Sequence, residues 1–248
     1  KNIAIVVGAR PNFMKIASLV PLLENHKTLE YTLFHTGQHF DFEMSQVFFQ
    51  DLAIPKPHVN LDIHSGKYPF PVQIALIKKK LEFYWRKKKP VLCLVVGDAN
   101  SAIGGSLAAF SLGIPLGHIE AGLRSYDRTM SEETNRLVVD NLSDFLFAPS
   151  QDAKKNLLRE GIPSAKIFFV GNSMIEPLVR YKKEIEKRNM AGTLGLRKKT
   201  YGVLTLHRYN NIDTKPVLKE ILEAILLMQK EIPLVFPLHP STRERISF

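Results

Sequence analysis

The chain has 248 residues, 45% hydrophobic and 23% charged, with 34 Lys+Arg against 24 Asp+Glu for a formal net charge of +10. These are ordinary globular proportions and exclude wholesale disorder. Its longest apolar runs, Ile3–Val7 and Val91–Val96, fall far short of the roughly 18 residues of a membrane span, and a lone Cys93 excludes an internal disulfide. No Cys/His cluster suggests structural zinc, and no secretory leader is predicted, because the chain opens on a strand-like segment.

In chain order, Lys1–Val7 reads as a buried strand ending at the turn residue Gly8. A helix is predicted after Pro11, over Met14 and Ile16 to Leu23, then a strand over Tyr31–His35 and a helix over Phe40–Asp51. Pro71–Lys88 is helical and closed by Pro90; Val91–Val96 is a strand ending in Gly97-Asp98. Ser101–Leu112 is a helix of small residues stopped by Gly113. Pro115–Ile119 is a strand ending at Glu120, Glu132–Ser143 a helix and Phe145–Ala148 a strand. Asp152–Glu160 is a helix capped by Gly161, and Ile167–Val170 a strand ending in Gly171-Asn172. Short strands alternating with helices predict an α/β fold with a doubly wound, mostly parallel sheet.

Around Tyr181–Thr200 the composition turns charged and Gly-containing, which predicts a helix and linker into a second domain. Tyr201–Leu206, Thr214–Lys230 and Leu234–Leu238 then form one strand–helix–strand unit. So small a unit buries little apolar surface, so the second domain is expected to be incomplete.

The positive charge concentrates at Lys78–Lys80 with Arg86–Lys89, and between Arg180 and Lys199. Phe83, Tyr84 and Trp85 lie between the first two basic clusters, the interleaving that single-stranded nucleic acid favours. A solvated helix end, with Lys at the negative end of the dipole, is the preferred reading.

Ligands of open α/β sheets bind beyond the carboxyl ends of the strands, and polar residues gather there. They are Arg10, Asn12 and Lys15; His39; Asp98; His118 and Glu120 through Arg124; Asn172; and His207-Arg208 in the second unit. There is no Gly-x-Gly-x-x-Gly and no Gly-Lys-Ser/Thr loop. Position alone leaves Arg10 and Lys15 as surface or phosphate-binding residues, and Asp98 as a helix cap or a catalytic group. Glu120, after an apolar strand, points to function. Glu132 and Glu133 begin a helix where acids suit the dipole. His39, His118 and His207 are core, turn or functional residues, whereas His26, His58 and His64 read as surface and His239 as a strand-end turn.

Together, Gly8–Lys15, Thr36–His39, Gly97-Asp98, Ala108–Phe110, Gly117–Arg124, Glu132–Arg136, Asn156–Gly161, Gly171-Asn172 and His207-Arg208 resemble the non-hydrolysing UDP-N-acetylglucosamine 2-epimerase family. The strings Gly-His-Ile-Glu-Ala-Gly-Leu-Arg and Glu-Glu-x-Asn-Arg are its most specific marks. The resemblance implies two Rossmann-like domains in the glycosyltransferase-B arrangement, here residues 1–180 with the carboxylates and 181–248 as linker and partial nucleotide-binding domain. It implies an isomerase interconverting UDP-GlcNAc and UDP-ManNAc by eliminating UDP to 2-acetamidoglucal and adding it back. No metal or nicotinamide cofactor is implied, nor a nucleic-acid or membrane partner. A UDP-sugar substrate, a cytoplasmic homodimer and a role in surface-polysaccharide supply are. Residue by residue, the catalytic set would be Asp98, Glu120, Glu132 and His207; Arg10 and Lys15 would contact the diphosphate, Arg136 would orient the carboxylates, and His39 would join the substrate site.

Three features depart from the family. Asn12 stands where better-known members have Glu, Tyr209-Asn210-Asn211 follows His207-Arg208 in place of Arg-Glu-Asn, and the family's uridine-binding Ser-Gly-Gly-x-x-Glu-Glu segment is missing from the sequence. The alternatives are a truncated, inactive homologue that binds nucleotide or a partner, a hydrolysing epimerase releasing ManNAc and UDP, and a glycosyltransferase of the same plan.

Overall fold

The computed structural model describes residues 1–37, 46–64, 68–207, 209–238 and 240–246. The predicted site residue His39, the start of the Phe40–Asp51 helix, Arg208 and His239 lie outside the described residues. The chain divides into two compact units, Lys1–Tyr181 and Lys182–Phe248.

In the first unit the chain runs β1 (Asn2–Val7), α1 (Arg10–Ile16), α2 (Leu19–Glu24), β2 (Glu30–His35), α3 (Gln46–Asp51), β3 (Val59–Asn60), α4 (Phe70–Lys87) and β4 (Leu92–Val96). It continues α5 (Asn100–Ser111), β5 (Leu116–Ile119), α6 (Ser131–Leu142), β6 (Phe145–Ala148), α7 (Gln151–Arg159), β7 (Ile167–Phe169) and α8 (Ile175–Arg180). All seven strands pair in parallel, in the order β3-β2-β1-β4-β5-β6-β7. The mixed α/β class and parallel sheet follow the sequence reading.

The strands read as continuous apolar runs because both sheet faces are covered. Alternation sorts them: Ala4, Val6, Cys93 and Val95 pack on one face with Ile77, Leu81 and Trp85 of α4. Ile3, Ile5, Val7, Leu94 and Val96 pack on the other with Phe13, Ile16 and Val20 of α1 and α2. Trp85 is buried and is therefore core, not a stacking platform. Lys87 sits over the exposed Phe83 ring at 4.1 Å, so the basic run is a solvated helix end.

The single helix predicted to Leu23 is two, separated at Ala17-Ser18. Pro21 gives the reason, since its ring would clash with the Ala17 carbonyl four residues earlier. Two-residue β3 escaped the sequence reading because so short a strand shows no alternation.

In the second unit, α9 (Lys182–Arg188) and α10 (Met190–Thr193) precede β8 (Gly202–Val203), α11 (Tyr209–Ile212), α12 (Lys215–Met228), β9 (Leu234–Val235) and α13 (Pro240–Ile246). The strands predicted over Tyr201–Leu206 and Leu234–Leu238 shrink to two paired residues each, Gly202↔Leu234 and Val203↔Val235. One further ladder bond, Leu204 N–H to the Val235 carbonyl at 2.9 Å, extends the pair.

Candidate active site

Chain order reverses direction across the sheet between β1 and β4, and the crevice beyond their carboxyl ends is where such folds take ligands. The turn after β1 enters α1 with Pro11 in the first helical turn, where its missing N–H costs nothing. Asn12 is buried and ties the turn together. Its Oδ1 accepts from the Gly8 and Ala9 N–H groups at 3.0 and 2.9 Å, and its Nδ2 donates to the Val96 carbonyl at 2.9 Å. An amide meets this demand for both an acceptor and a donor, whereas an ionised carboxylate would face the Val96 oxygen without a proton. The departure at position 12 thus matches its surroundings.

One turn on, Lys15 is buried and its Nζ lies 2.6 Å from Glu120 Oε1 at the end of β5. Glu120 holds a left-handed backbone, φ +75°, a strained state for a residue with a side chain. Gly97, at the end of β4, also has positive φ; a Cβ there would lie 2.8 Å from Lys15 Nζ. A glycine is therefore what lets the ammonium approach the strand end. A cavity of about 240 Å³ adjoins Lys15, walled largely by Leu19, Leu94, Ile119 and Phe147; apolar walls strengthen an ion pair by keeping water away.

Asp98 does not cap α5, whose N-cap is Ala99 without a side-chain cap bond. Its carboxylate instead pairs with Arg136 Nη2 of α6, and its carbonyl accepts from Asn135 Nδ2 at 2.8 Å. Arg136 also reaches Glu133 at 3.2 Å. Glu133 is buried and accepts from Ser125 N–H, Ser125 Oγ and Tyr126 N–H at 2.9, 3.0 and 3.1 Å. Burial pushes its carboxyl upward, but those donors and Arg136 outweigh it and hold it below the ordinary carboxylate range. Glu132, its neighbour, is exposed and accepts from Ser131 Oγ at 3.1 Å.

Behind these groups lies a buried ionic cluster. His118 Nδ1 faces Asp140 Oδ1 at 2.6 Å, and His118 Nε2 faces the Gly97 carbonyl at 2.9 Å. Asp140 Oδ2 accepts from Gly122 N–H at 3.1 Å and pairs with Arg124 at 2.7 Å. Arg124 continues to Glu160, with Nε on Oε1 at 2.7 Å and Nη2 on Oε2 at 2.5 Å. Burial alone would raise the Asp140 carboxyl, but His118 and Arg124 depress it.

The first unit thus brings Lys15 to Glu120, and Arg136 to Asp98, at adjacent strand ends. Arg10 opens α1 as an exposed residue. His207 belongs to the second unit, exposed, with Nδ1 3.1 Å from Thr205 Oγ1. The sequence reading missed Glu133, Asn135 and Asp140 as site-building residues. Glu133 and Asn135 stood in the Glu-Glu-x-Asn-Arg string without a role, and for Glu133 and Asp140 the signal was the spacing: Glu133/Arg136 and Arg136/Asp140 stand three and four apart on one helix face. Among the described residues no group of three His, Cys, Asp or Glu is placed to hold a metal ion, and no helix is long and apolar enough to cross a membrane.

Comparison with known proteins gives the family. The family model for UDP-N-acetylglucosamine 2-epimerase matches residues 22–248. A UDP-N-acetylglucosamine 2-epimerase homolog of Methanococcus maripaludis is 45% identical over 98% of this chain and 67% of its own length. A UDP-2,3-diacetamido-2,3-dideoxy-D-glucuronate 2-epimerase of Pseudomonas aeruginosa is 40% identical over 98% and 68%. The crystal structure of the Methanocaldococcus jannaschii UDP-GlcNAc 2-epimerase, in complex with UDP-GlcNAc and UDP, superposes with a TM-score of 0.91 at 37% identity, over 99% of this chain and 68% of that one. The chain belongs to the UDP-N-acetylglucosamine 2-epimerase family of isomerases, whose glycosyltransferase-B-like fold it covers for about two thirds of its length.

Proposed function

We propose that the protein interconverts UDP-GlcNAc and UDP-ManNAc by elimination and re-addition of UDP. The observation that carries this reading is the pair of cation-held carboxylates, Glu120 with Lys15 and Asp98 with Arg136, at neighbouring strand ends. The C2 proton of GlcNAc is not adjacent to a carbonyl, so its removal needs the C1–O bond to break with it. One carboxylate takes the C2 proton, the C–H electrons form the C1=C2 bond, and the C1–O electrons leave with UDP. The diphosphate oxygen then re-forms the bond to C1 while a protonated carboxylate delivers hydrogen to the other face of C2. Two carboxylates in different surroundings suit the two faces.

In this scheme Asp98, Glu120 and Glu132 serve as acid/base groups, with Arg136 orienting Asp98. Arg10, Lys15 and His207 balance the charge of the departing diphosphate, and His39 is a further substrate-binding residue. Family membership supports extending the proposal to a cytoplasmic homodimer supplying UDP-ManNAc to surface polysaccharide; light scattering checks the dimer. The hydrolysing variant differs only in that water, not UDP, adds to C1.

Incubation of the protein with UDP-GlcNAc in deuterated water, followed by NMR, tests the proposal. Deuterium at C2 together with UDP-ManNAc is expected, and Glu120→Gln or Asp98→Asn should slow exchange by about 10²–10⁴-fold. Free ManNAc and UDP would mark the hydrolysing reaction. The Pseudomonas relative's diacetamido sugar motivates a parallel incubation with the UDP-2,3-diacetamido substrate; turnover of that sugar alone would reassign the substrate.

A further inference from the structure

Glu120 and Asp98 leave different strands, yet one buried carboxylate reaches the backbone beside each. Asp140 holds His118, two residues before Glu120, through the imidazole, and Gly122, two residues after it, through the amide. The other ring nitrogen of His118 meets the carbonyl of Gly97, whose peptide leads into Asp98. Both ring nitrogens face oxygens. Asp140 is ionised against His118 and Arg124, so the chain Gly97–His118–Asp140–Gly122 is continuous and almost completely buried. Both segments carry a residue in the left-handed region, Gly97 in one and Glu120 in the other.

We propose that Asp140, acting through His118 and the Gly122 amide, is a positioning residue that sets Glu120 and Asp98 relative to each other. The proposal rests on the epimerase reading for what the two carboxylates do; their placement by Asp140 is a separate matter. Neither His118 nor Asp140 needs to touch substrate.

The test uses the intact protein with three substitutions. Asp140→Ala and His118→Phe cut the chain. Asp140→Asn restores it, because the amide donates to Nδ1 of a neutral His118 while its oxygen accepts from Gly122. Each variant is followed by hydrogen exchange with mass spectrometry and by kinetics of C2 deuteration. Exchange should quicken in residues 97–100 and 118–124 for Asp140→Ala and His118→Phe, with β1 and β2 unchanged, and return toward wild type in Asp140→Asn. In those two variants kcat should fall about 10²-fold with KM within about threefold, the penalty expected for a misplacement near 1 Å; Asp140→Asn should recover most of it.

Unchanged exchange in both segments, an unchanged kcat in folded Asp140→Ala, or an Asp140→Asn variant as impaired as Asp140→Ala would overturn the proposal. If Asp140→Ala does not fold, judged by the near-ultraviolet signal of the single tryptophan, the contrast between His118→Phe and Asp140→Asn decides. A wild-type protein that fails to deuterate C2 refutes the epimerase reading, while the exchange data still decide the positioning role.

Discussion

At the residue scale, two glycines with nearly the same backbone separate strain from crowding. Gly122 and Gly161 lie at φ +84° and +83°. A Cβ on Gly161 meets nothing within 4 Å, whereas one on Gly122 would lie 2.4 Å from the Ala153 carbonyl oxygen, a backbone atom that cannot turn aside. Gly161→Ala should therefore cost only the left-handed penalty, about 1–2 kcal/mol. Gly122→Ala should add a packing cost of about 1–3 kcal/mol, measured as the difference in urea unfolding free energies; equal costs would refute the crowding argument. Glu133 gives a second test. Its folded carboxyl is held low, so its contribution is complete above the unfolded value of about 4.3 and vanishes as pH falls through the lower folded value. Glu133→Gln should destabilise the protein by about 1–3 kcal/mol at pH 6, and the gap should begin to narrow as pH falls below the unfolded value and close only below the depressed folded one. A gap independent of pH would mean that shape, not charge, is what Glu133 supplies.

At the element scale, α6 and α7 build the site from behind. The first contributes Glu133, Asn135, Arg136 and Asp140 toward β4 and β5. The second sets Asn156, whose Nδ2 donates to the Gly122 carbonyl at 3.0 Å and whose Oδ1 accepts from Tyr126 at 2.8 Å. Helix α7 is capped by Ser150, whose Oγ accepts from Ala153 N–H at 3.1 Å. Ser150→Ala should cost about 1 kcal/mol; thermal unfolding checks this, and no change would mean that water replaces the cap. The strand ends were readable in sequence because apolar runs stop abruptly at Gly8, Gly97 and Glu120. The carboxylates there stood out for the same reason. Which cation meets which carboxylate was not readable: Lys15 and Glu120 are 105 positions apart, and Asp98 and Arg136 are 38. Asp98 read equally well as a cap because the identity of its partner depends on where α6 lands. Glu132 and Glu133 were indistinguishable in a first helical turn, and only the loop at Ser125-Tyr126 buries one and leaves the other in water.

At the scale of the whole molecule, the two units differ in how much apolar surface they enclose. The first has a sheet covered on both faces, with Trp85, Phe13 and Leu81 fully buried among many others. Its last residue is anchored, because Tyr181 Oη donates to the Leu52 carbonyl at 2.7 Å. Among the described residues the second has a cluster of three buried apolar residues, Leu206, Ile212 and Leu218, with Ile221, Leu222, Phe236 and Ile246 partly buried against it. Leu226, Leu227 and Met228 on α12 and Val203 on β8 stay exposed. A two-stranded ladder with so small a core is marginal by itself, whereas a sheet covered on both faces is expected to hold without help. Limited proteolysis of the 248-residue chain should accordingly cut within 182–248 first and leave a resistant fragment ending near Tyr181. That fragment, expressed alone, should unfold cooperatively at a midpoint within about 4 °C of the main transition of the chain, the shift that ~1 kcal/mol produces at this size. Equal protease resistance of the two units would show that the second is stabilised to the level of the first. A fragment 1–181 that fails to unfold cooperatively would show that the sheet and its two helical layers are not self-sufficient, and that the carboxylates at the strand ends of the first unit owe their setting to residues beyond Tyr181.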